Sequence, residues 1–294
     1  MTPPIPTIVI GGYLGAGKTT LVNHLLRTAA GRRIAVLVND FGDLAIDADL
    51  ILGAEGGLVS LAGGCVCCTI GDDLIGVLET LLARQPRPDL LLIETSGVGL
   101  PGAVAQTAGL LADLCLEGIV VLLDAETIQA ASADRYLGDT VLRQMAQADL
   151  LLLNKTDLLE EADLARVRAW LSGIALPAPI IETDHTQLPG DLVFGPVTSP
   201  KASQHHAHAE TLFKTGVFHP DGPVDLDKLG RDLSNPRSGI LRAKGVLTDL
   251  AGVRRGVQLA GRRWRLSEPS NRPDALVWIA RAGAVDWPWP RSNP

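Results

Sequence analysis

The sequence predicts an α/β protein: a P-loop domain on a doubly wound, mostly parallel sheet, with a second, smaller α+β domain at the C-terminus. Three observations lead there. Short apolar runs alternate with segments that place leucine, valine and alanine at helical spacing. A glycine-rich stretch ending in Lys-Thr lies between the first such run and the first such segment. After Glu182 the alternation stops and the composition changes.

The elements follow in order. "TIVI" (7–10), "IAVLV" (34–38), "LLLIE" (90–94), "GIVVLLD" (118–124) and "DLLLLN" (149–154) are short continuous apolar runs, the pattern of strands buried on both faces. Between them "KTTLVNHLLRTAA", "DDLIGVLETLLARQ" and "GAVAQTAGLLADL" read as helices, and Cys115 is expected as plain core on the last of these. A helix near 160–175 and a strand "APIIE" (178–182) complete a domain over residues 1–183. Residues 184–210, rich in Pro, Gly, Ser and His, read as a flexible linker. Residues 211–294 hold five strand-like runs, "TLFKTGVF", "GILRAKGVLTDL", "RGVQLAG", "RRWRLS" and "DALVWIA", and one helix, "DLDKLGRDLS". Trp264, Trp278, Trp287 and Trp289 are expected to fill the core of this domain or to pin its tail.

Composition excludes some partners. The chain has 294 residues, 46% of them hydrophobic, and a net charge of −7 without a dense Lys/Arg run, which argues against nucleic acid. The N-terminal stretch lacks the pattern of a signal peptide, and no apolar run is long enough to span a bilayer. The expectation is a cytoplasmic protein without a membrane partner, its thiols reduced and open to metal.

"GGYLGAGKTT" fits G-x-x-x-x-G-K-[ST] through Gly12, Gly17, Lys18 and Thr19. Gly12, Gly15 and Gly17 let the backbone turn its N–H groups onto a phosphate chain, and the helix that follows adds its positive dipole end. Lys18 is expected to reach the β/γ-phosphates and the Thr19 hydroxyl to bind Mg²⁺. "NKTD" (154–157) follows the fifth strand. The Asp157 carboxylate can accept from both the ring N–H and the exocyclic amine of guanine. Adenine has no such donor pair and would leave it unpaired at a cost of about 1–3 kcal/mol. GTP is therefore favoured over ATP, with Asn154 holding the loop and the purine edge and the Lys155 stem along the base. "IETSG" supplies Glu94, expected to hold Mg²⁺ through water, and Gly97, whose N–H would sense a γ-phosphate. In "NDFGD", Asp40 and Asp43 are either ligands to Mg²⁺, water or a second metal, or solvated loop carboxylates.

"GGCVCCTI" concentrates Cys65, Cys67 and Cys68 in one turn. Three readings are open: a structural zinc site, a redox pair at the Cys65–Cys68 spacing, and an exchangeable site of three thiolates with an open position, suited to a soft or borderline metal. His185, His205, His206 and His208 fall in the linker, as a metal buffer or simply as solvated residues. His24 and His219 are assigned to packing or solvation.

Taken in order, "GGYLGAGKTT", "NDFGD", "GGCVCCTI", "IETSG" and "NKTD" resemble the CobW-type metallochaperone GTPases, relatives of the nickel-insertion GTPases of urease and hydrogenase. The resemblance covers roughly residues 5–182; the C-terminal part matches in general pattern only. It implies that Gly12, Gly15, Ala16, Gly17, Lys18, Thr19 and Thr20 bind GTP/GDP phosphates with Mg²⁺. It further implies that Asn154, Lys155 and Asp157 bind guanine, and that Cys65, Cys67 and Cys68 bind Zn²⁺, or Co²⁺ or Fe²⁺, with Asp40, Asp43 and His185 as further candidates. Lys18, Thr19, Asp40, Glu94 and Gly97 are the implied catalytic set. The implied activity is slow GTP hydrolysis that gates delivery of metal to a client metalloprotein, with a nucleotide-dependent homodimer as an expected partner state. The alternative is a GTP-binding metal-storage or metal-sensing protein without productive turnover. Relatives often carry a switch of the form E-N-E-F-G-E; here Val38 stands in place of the first acid.

Overall fold

The computed structural model describes residues 3–29, 31–38, 72–174, 176, 178–184, 188, 193, 213–235, 238–261, 263–269 and 274–281. Asp40, Asp43, the three clustered cysteines, His185, the His205–His208 run, Trp287 and Trp289 lie outside them. The chain divides into two compact units, Met1–Gln187 and Leu188–Pro294.

The first unit is a parallel sheet with helices. Its strands are β1 (Ile5–Gly12), β2 (Ile34–Val38), β3 (Leu90–Glu94), β4 (Leu114–Asp124), β5 (Leu150–Asn154) and β6 (Ile180–Glu182), in the order β2-β3-β1-β4-β5-β6. Every pairing is parallel. β3 and β5 are buried at every position, as continuous apolar runs require when helices cover both faces. The helices are α1 (Lys18–Arg27), α2 (Asp72–Leu82), α3 (Pro101–Ala108), α4 (Ile128–Ala133), α5 (Gly138–Ala146) and α6 (Glu161–Gly173). From β1 the chain crosses to β2 on one side of the sheet; from β4 it crosses to β5 on the other. The carboxyl ends of β1 and β4 thus flank the point where connections change direction, the place where such sheets bind ligands.

The predicted runs all form strands, with two corrections of extent. The helix expected over 102–114 stops at Ala108 and Gly109 caps it. Cys115 is therefore not core on a helix. It is a half-buried residue of β4, in register with Pro6 of β1. β4 has 11 residues because an irregularity opposite Thr7/Ile8 lets it continue backwards past Gly118. That break in the two-residue period hides the first half of the strand in the sequence. Between 125 and 148, where the sequence predicts no element, lie α4 and α5.

At the opposite end of the sheet from the phosphate loop, Arg33 grips Asp89: Nη2 to Oδ1 at 2.8 Å, Nε to Oδ2 at 3.2 Å, and the Arg33 amide to Oδ2 at 2.9 Å. The guanidinium bonds hold the Asp89 carboxyl below the usual carboxylate range.

The second unit is an antiparallel sheet of β7 (Phe213–Phe218), β8 (Ile240–Thr248), β9 (Arg254–Ala260), β10 (Arg263–Pro269) and β11 (Ala275–Arg281), ordered β10-β9-β8-β11-β7. The helix α7 (Leu226–Ser234) is capped by Asp225, whose Oδ1 accepts from the Lys228 amide at 2.9 Å. Leu226, Leu229 and Leu233 recur on its buried face. Trp264 and Trp278 pack against this core. A Cβ at Gly230 would stand 2.5 Å from Trp264 Cδ1, so glycine lets the indole lie directly on the helix. Two residues of the expected linker are buried, Leu188 at 3% exposure and Val193 at 0%. Buried Arg242 donates from Nη2 to the Val193 carbonyl at 2.9 Å, so the chain at 193 is anchored to β8. His219 is exposed, with Nδ1 3.3 Å from the Asp274 carbonyl.

Candidate nucleotide site

β1 runs straight into the glycine-rich turn, and α1 starts at Lys18. Gly12, Gly15 and Gly17 all have positive φ, at 136°, 75° and 99°. At Gly12 a Cβ would also lie 2.5 Å from the Leu122 carbonyl of β4, so no other residue fits there. The turn closes on itself through the Ala16 amide and the Tyr13 carbonyl, 3.2 Å apart. Lys18, 9% exposed, keeps its ammonium within the loop, 3.4 Å from the same Tyr13 carbonyl. Thr20 faces outward on the first turn of α1.

Two other segments meet this loop. β3 lies beside β1 and ends in Glu94, opposite Ile10. The Thr19 hydroxyl donates to Glu94 Oε1 at 3.0 Å across 75 residues of sequence, and Glu94 is 3% exposed. Two hard oxygen donors thus stand side by side at the end of the phosphate loop, a donor set that fits Mg²⁺. Gly97 packs on the loop itself: a Cβ there would meet Leu14 Cγ at 2.7 Å and the Leu14 nitrogen at 2.9 Å.

β5 ends in Asn154, whose Nδ2 donates to the Ala16 carbonyl at 3.0 Å in a buried contact. Lys155 follows in the left-handed region (φ 64°) and turns the chain into a 3-10 turn, Thr156–Leu158, that exposes Asp157. The Lys155 ammonium lies 2.6 Å from Asp124 Oδ2, at the end of β4. Asp124 is in register with Asn154 and its Oδ1 also accepts from the Glu126 amide at 3.0 Å. Thr156 reaches the end of β6 through its hydroxyl and the Thr183 carbonyl, 3.3 Å apart.

Asp124 and Gln144 are the residues of this region that motif reading passes over. Asp124 has a visible signal, an acid closing a buried apolar strand just as Asn154 does. Gln144 sits on the buried stripe of α5 with Val141 and Met145. A polar side chain at that spacing is its only mark in the sequence. Its Nε2 donates to the Gly97 carbonyl at 3.1 Å and the Gly99 carbonyl at 2.8 Å.

Among the described residues no group of three or more His, Cys, Asp or Glu is placed to hold a metal, and no helix is long and apolar enough to cross a membrane. The candidate thiolate site is outside those residues.

Residues 6–183 match the family model described as CobW/HypB/UreG, nucleotide-binding domain. Zinc chaperone CobW of a Sinorhizobium species is 32% identical over 278 residues, covering 83% of this chain and 78% of the relative. Zinc chaperone YjiA of Escherichia coli is 32% identical over 316 residues, covering 99% and 92%. A solved structure of a Zn(II)-bound triple mutant of YjiA GTPase is similar at 24% identity and a TM-score of 0.48, covering 98% of this chain and 96% of that one. With the family model matching well over half its length, the chain belongs to the CobW/HypB/UreG family.

Proposed function

We propose that the chain is a GTPase, converting GTP and water to GDP and inorganic phosphate, whose nucleotide state gates a thiolate site and which passes zinc to a client metalloprotein. One observation carries this reading. The Asn154–Ala16 hydrogen bond joins the phosphate loop to the loop bearing Asp157, which supports reading them as two walls of a single site. The phosphate-loop amides and Lys18 would bind the phosphates, and Asp157 would accept from the guanine edge. Thr19 and, through water, Glu94 would hold Mg²⁺, which when bound offsets the charge of the phosphates. Residues 1–183 would be the GTPase domain and 211–294 the smaller C-terminal domain. The names of the relatives, zinc chaperone and zinc-regulated GTPase metalloprotein activator, support zinc as the cargo over cobalt or iron.

The cargo site would be Cys65, Cys67 and Cys68. These lie in sequence between the 39–43 segment and Glu94, and both flanks would respond to a γ-phosphate. The test is chelator competition for Zn²⁺, run with GDP and with a non-hydrolysable GTP analogue, alongside multiple-turnover phosphate release. The expected result is slow turnover and zinc affinities that differ between the two nucleotides by roughly 5–150-fold. Equal affinities would remove the gating; zinc binding without turnover would leave a storage or sensing protein.

A further inference from the structure

The turn after β3 is held from one side by α5. Gln144, 1% exposed, spends its side-chain amide on two carbonyls of that turn, Gly97 at 3.1 Å and Gly99 at 2.8 Å. One helical turn on, Gln147 accepts from the Gly102 amide at 2.9 Å through Oε1. Gln144 on α5 and Gln147, the residue that caps its C-terminus, therefore clasp the segment from Gly97 to Gly102.

The clasp dictates where the amides of the turn point. In a trans peptide the N–H is directed opposite to the C=O. With the Gly97 carbonyl turned to Gln144, the Val98 N–H is turned away from α5. The Ser96 carbonyl accepts from the Gly99 amide at 3.0 Å, so the Gly97 N–H is directed out of the turn. This is the segment that packs on Leu14 of the phosphate loop. A buried side-chain amide with two carbonyl acceptors is costly to lose, because both carbonyls then lack their donor.

We propose that Gln144 is a positioning residue for nucleotide discrimination: it holds the Gly97–Gly99 turn in the shape that lets its amides distinguish a nucleoside triphosphate from a diphosphate. This rests on the GTPase reading above. Gln144 touches neither phosphate nor base; it acts through the carbonyls it anchors. Its loss should therefore fall on the triphosphate state and on turnover, leaving diphosphate binding to the phosphate loop.

The test uses the full chain with Gln144→Met, which keeps length and apolar volume and removes the donor, and Gln144→Glu, which keeps the shape without the amide. Fluorescent GDP and GTP-analogue titrations, steady-state GTP hydrolysis and a circular-dichroism melt are read together. Expected are GDP affinity within about threefold of the unaltered chain, GTP-analogue affinity and kcat each reduced about tenfold or more, and a cooperative melt. A folded variant with an unchanged ratio of analogue to GDP affinity, or one that loses both nucleotides equally, overturns the proposal. If the unaltered chain neither binds guanine nucleotides nor hydrolyses GTP, the GTPase reading itself fails and this inference with it. A second measurement needs no substitution: the side-chain amide resonance of Gln144 should shift when GDP is exchanged for the GTP analogue. A resonance that stays in place with both nucleotides bound overturns the proposal as well.

Discussion

Replacing Asn154 by alanine removes the bond that joins the base-side loop to the phosphate loop. Asn154 is 3% exposed and Ala16 1%, so neither the donor nor the carbonyl is exchanged for water when the contact is broken. A buried carbonyl that loses its donor costs about 1–3 kcal/mol. At 1.4 kcal/mol per tenfold, that is roughly a 5–150-fold weakening wherever nucleotide binding requires the ordered loop. The contact involves neither Glu94 nor Gly97, so GDP and a GTP analogue should lose affinity by the same factor. Fluorescent-nucleotide titrations with each ligand measure this, and urea unfolding of the unliganded chain shows how much of the loss appears as stability. Asn154→Ser, which retains a hydroxyl donor on a shorter arm, should fall between. An alanine variant that binds both nucleotides within twofold of the unaltered chain, with unchanged stability, would refute the view that the two loops form one site.

Gly97→Ala should lower kcat for GTP, because its Cβ would press on the Leu14 nitrogen; in Leu14→Ala/Gly97→Ala the side-chain overlap goes but the backbone one stays, so steady-state assays should show only partial recovery. Asp124→Asn should weaken guanine nucleotides several-fold in equilibrium titrations, since the Lys155 ammonium 2.6 Å away loses its charged partner. Asp89 has a folded pKa below its unfolded one, so its contribution to stability is present above about pH 4 and fades as pH falls through the lowered value. Urea unfolding should therefore show Asp89→Asn less stable than the unaltered chain at pH 7, with the gap narrowing as pH falls through the lowered value; a gap unchanged in acid would contradict the assignment. Both partners are about half exposed, which keeps the effect small.

The parts of the fold that a sequence reveals are those governed by local periodicity. "IAVLV" and "LLLIE" begin and end where they are predicted, since a fully buried parallel strand is apolar throughout. β4 exceeds its predicted run because its pairing with β1 changes register midway, and no local pattern records a partner's register. The place of Cys115 on β4 is hidden from the sequence for that reason. The phosphate loop and the 154–157 loop are legible because each needs particular residue types at fixed spacing. Gln144 and Asp124 have no such spacing: each acts across some 30–50 residues on a single carbonyl pair or ammonium, and only the folded chain brings them there. The helix boundaries around 125–148 escape for a plainer cause, since α4 and α5 are short and their apolar stripes span barely two turns.

The packing of Trp264 against Gly230 has a spectroscopic consequence. Of the five tryptophans only Trp170, on α6, belongs to the first unit; the other four follow Leu188. Intrinsic fluorescence excited at the indole band is thus weighted toward the second unit, and Trp264, its ring against the helix and its Nε1 buried, is sensitive to separation of α7 from the sheet. In a Trp170→Phe chain the emission would come from that unit alone. Its unfolding midpoint could then be set beside the far-ultraviolet transition of the whole chain, giving each unit its own optical readout without an attached dye.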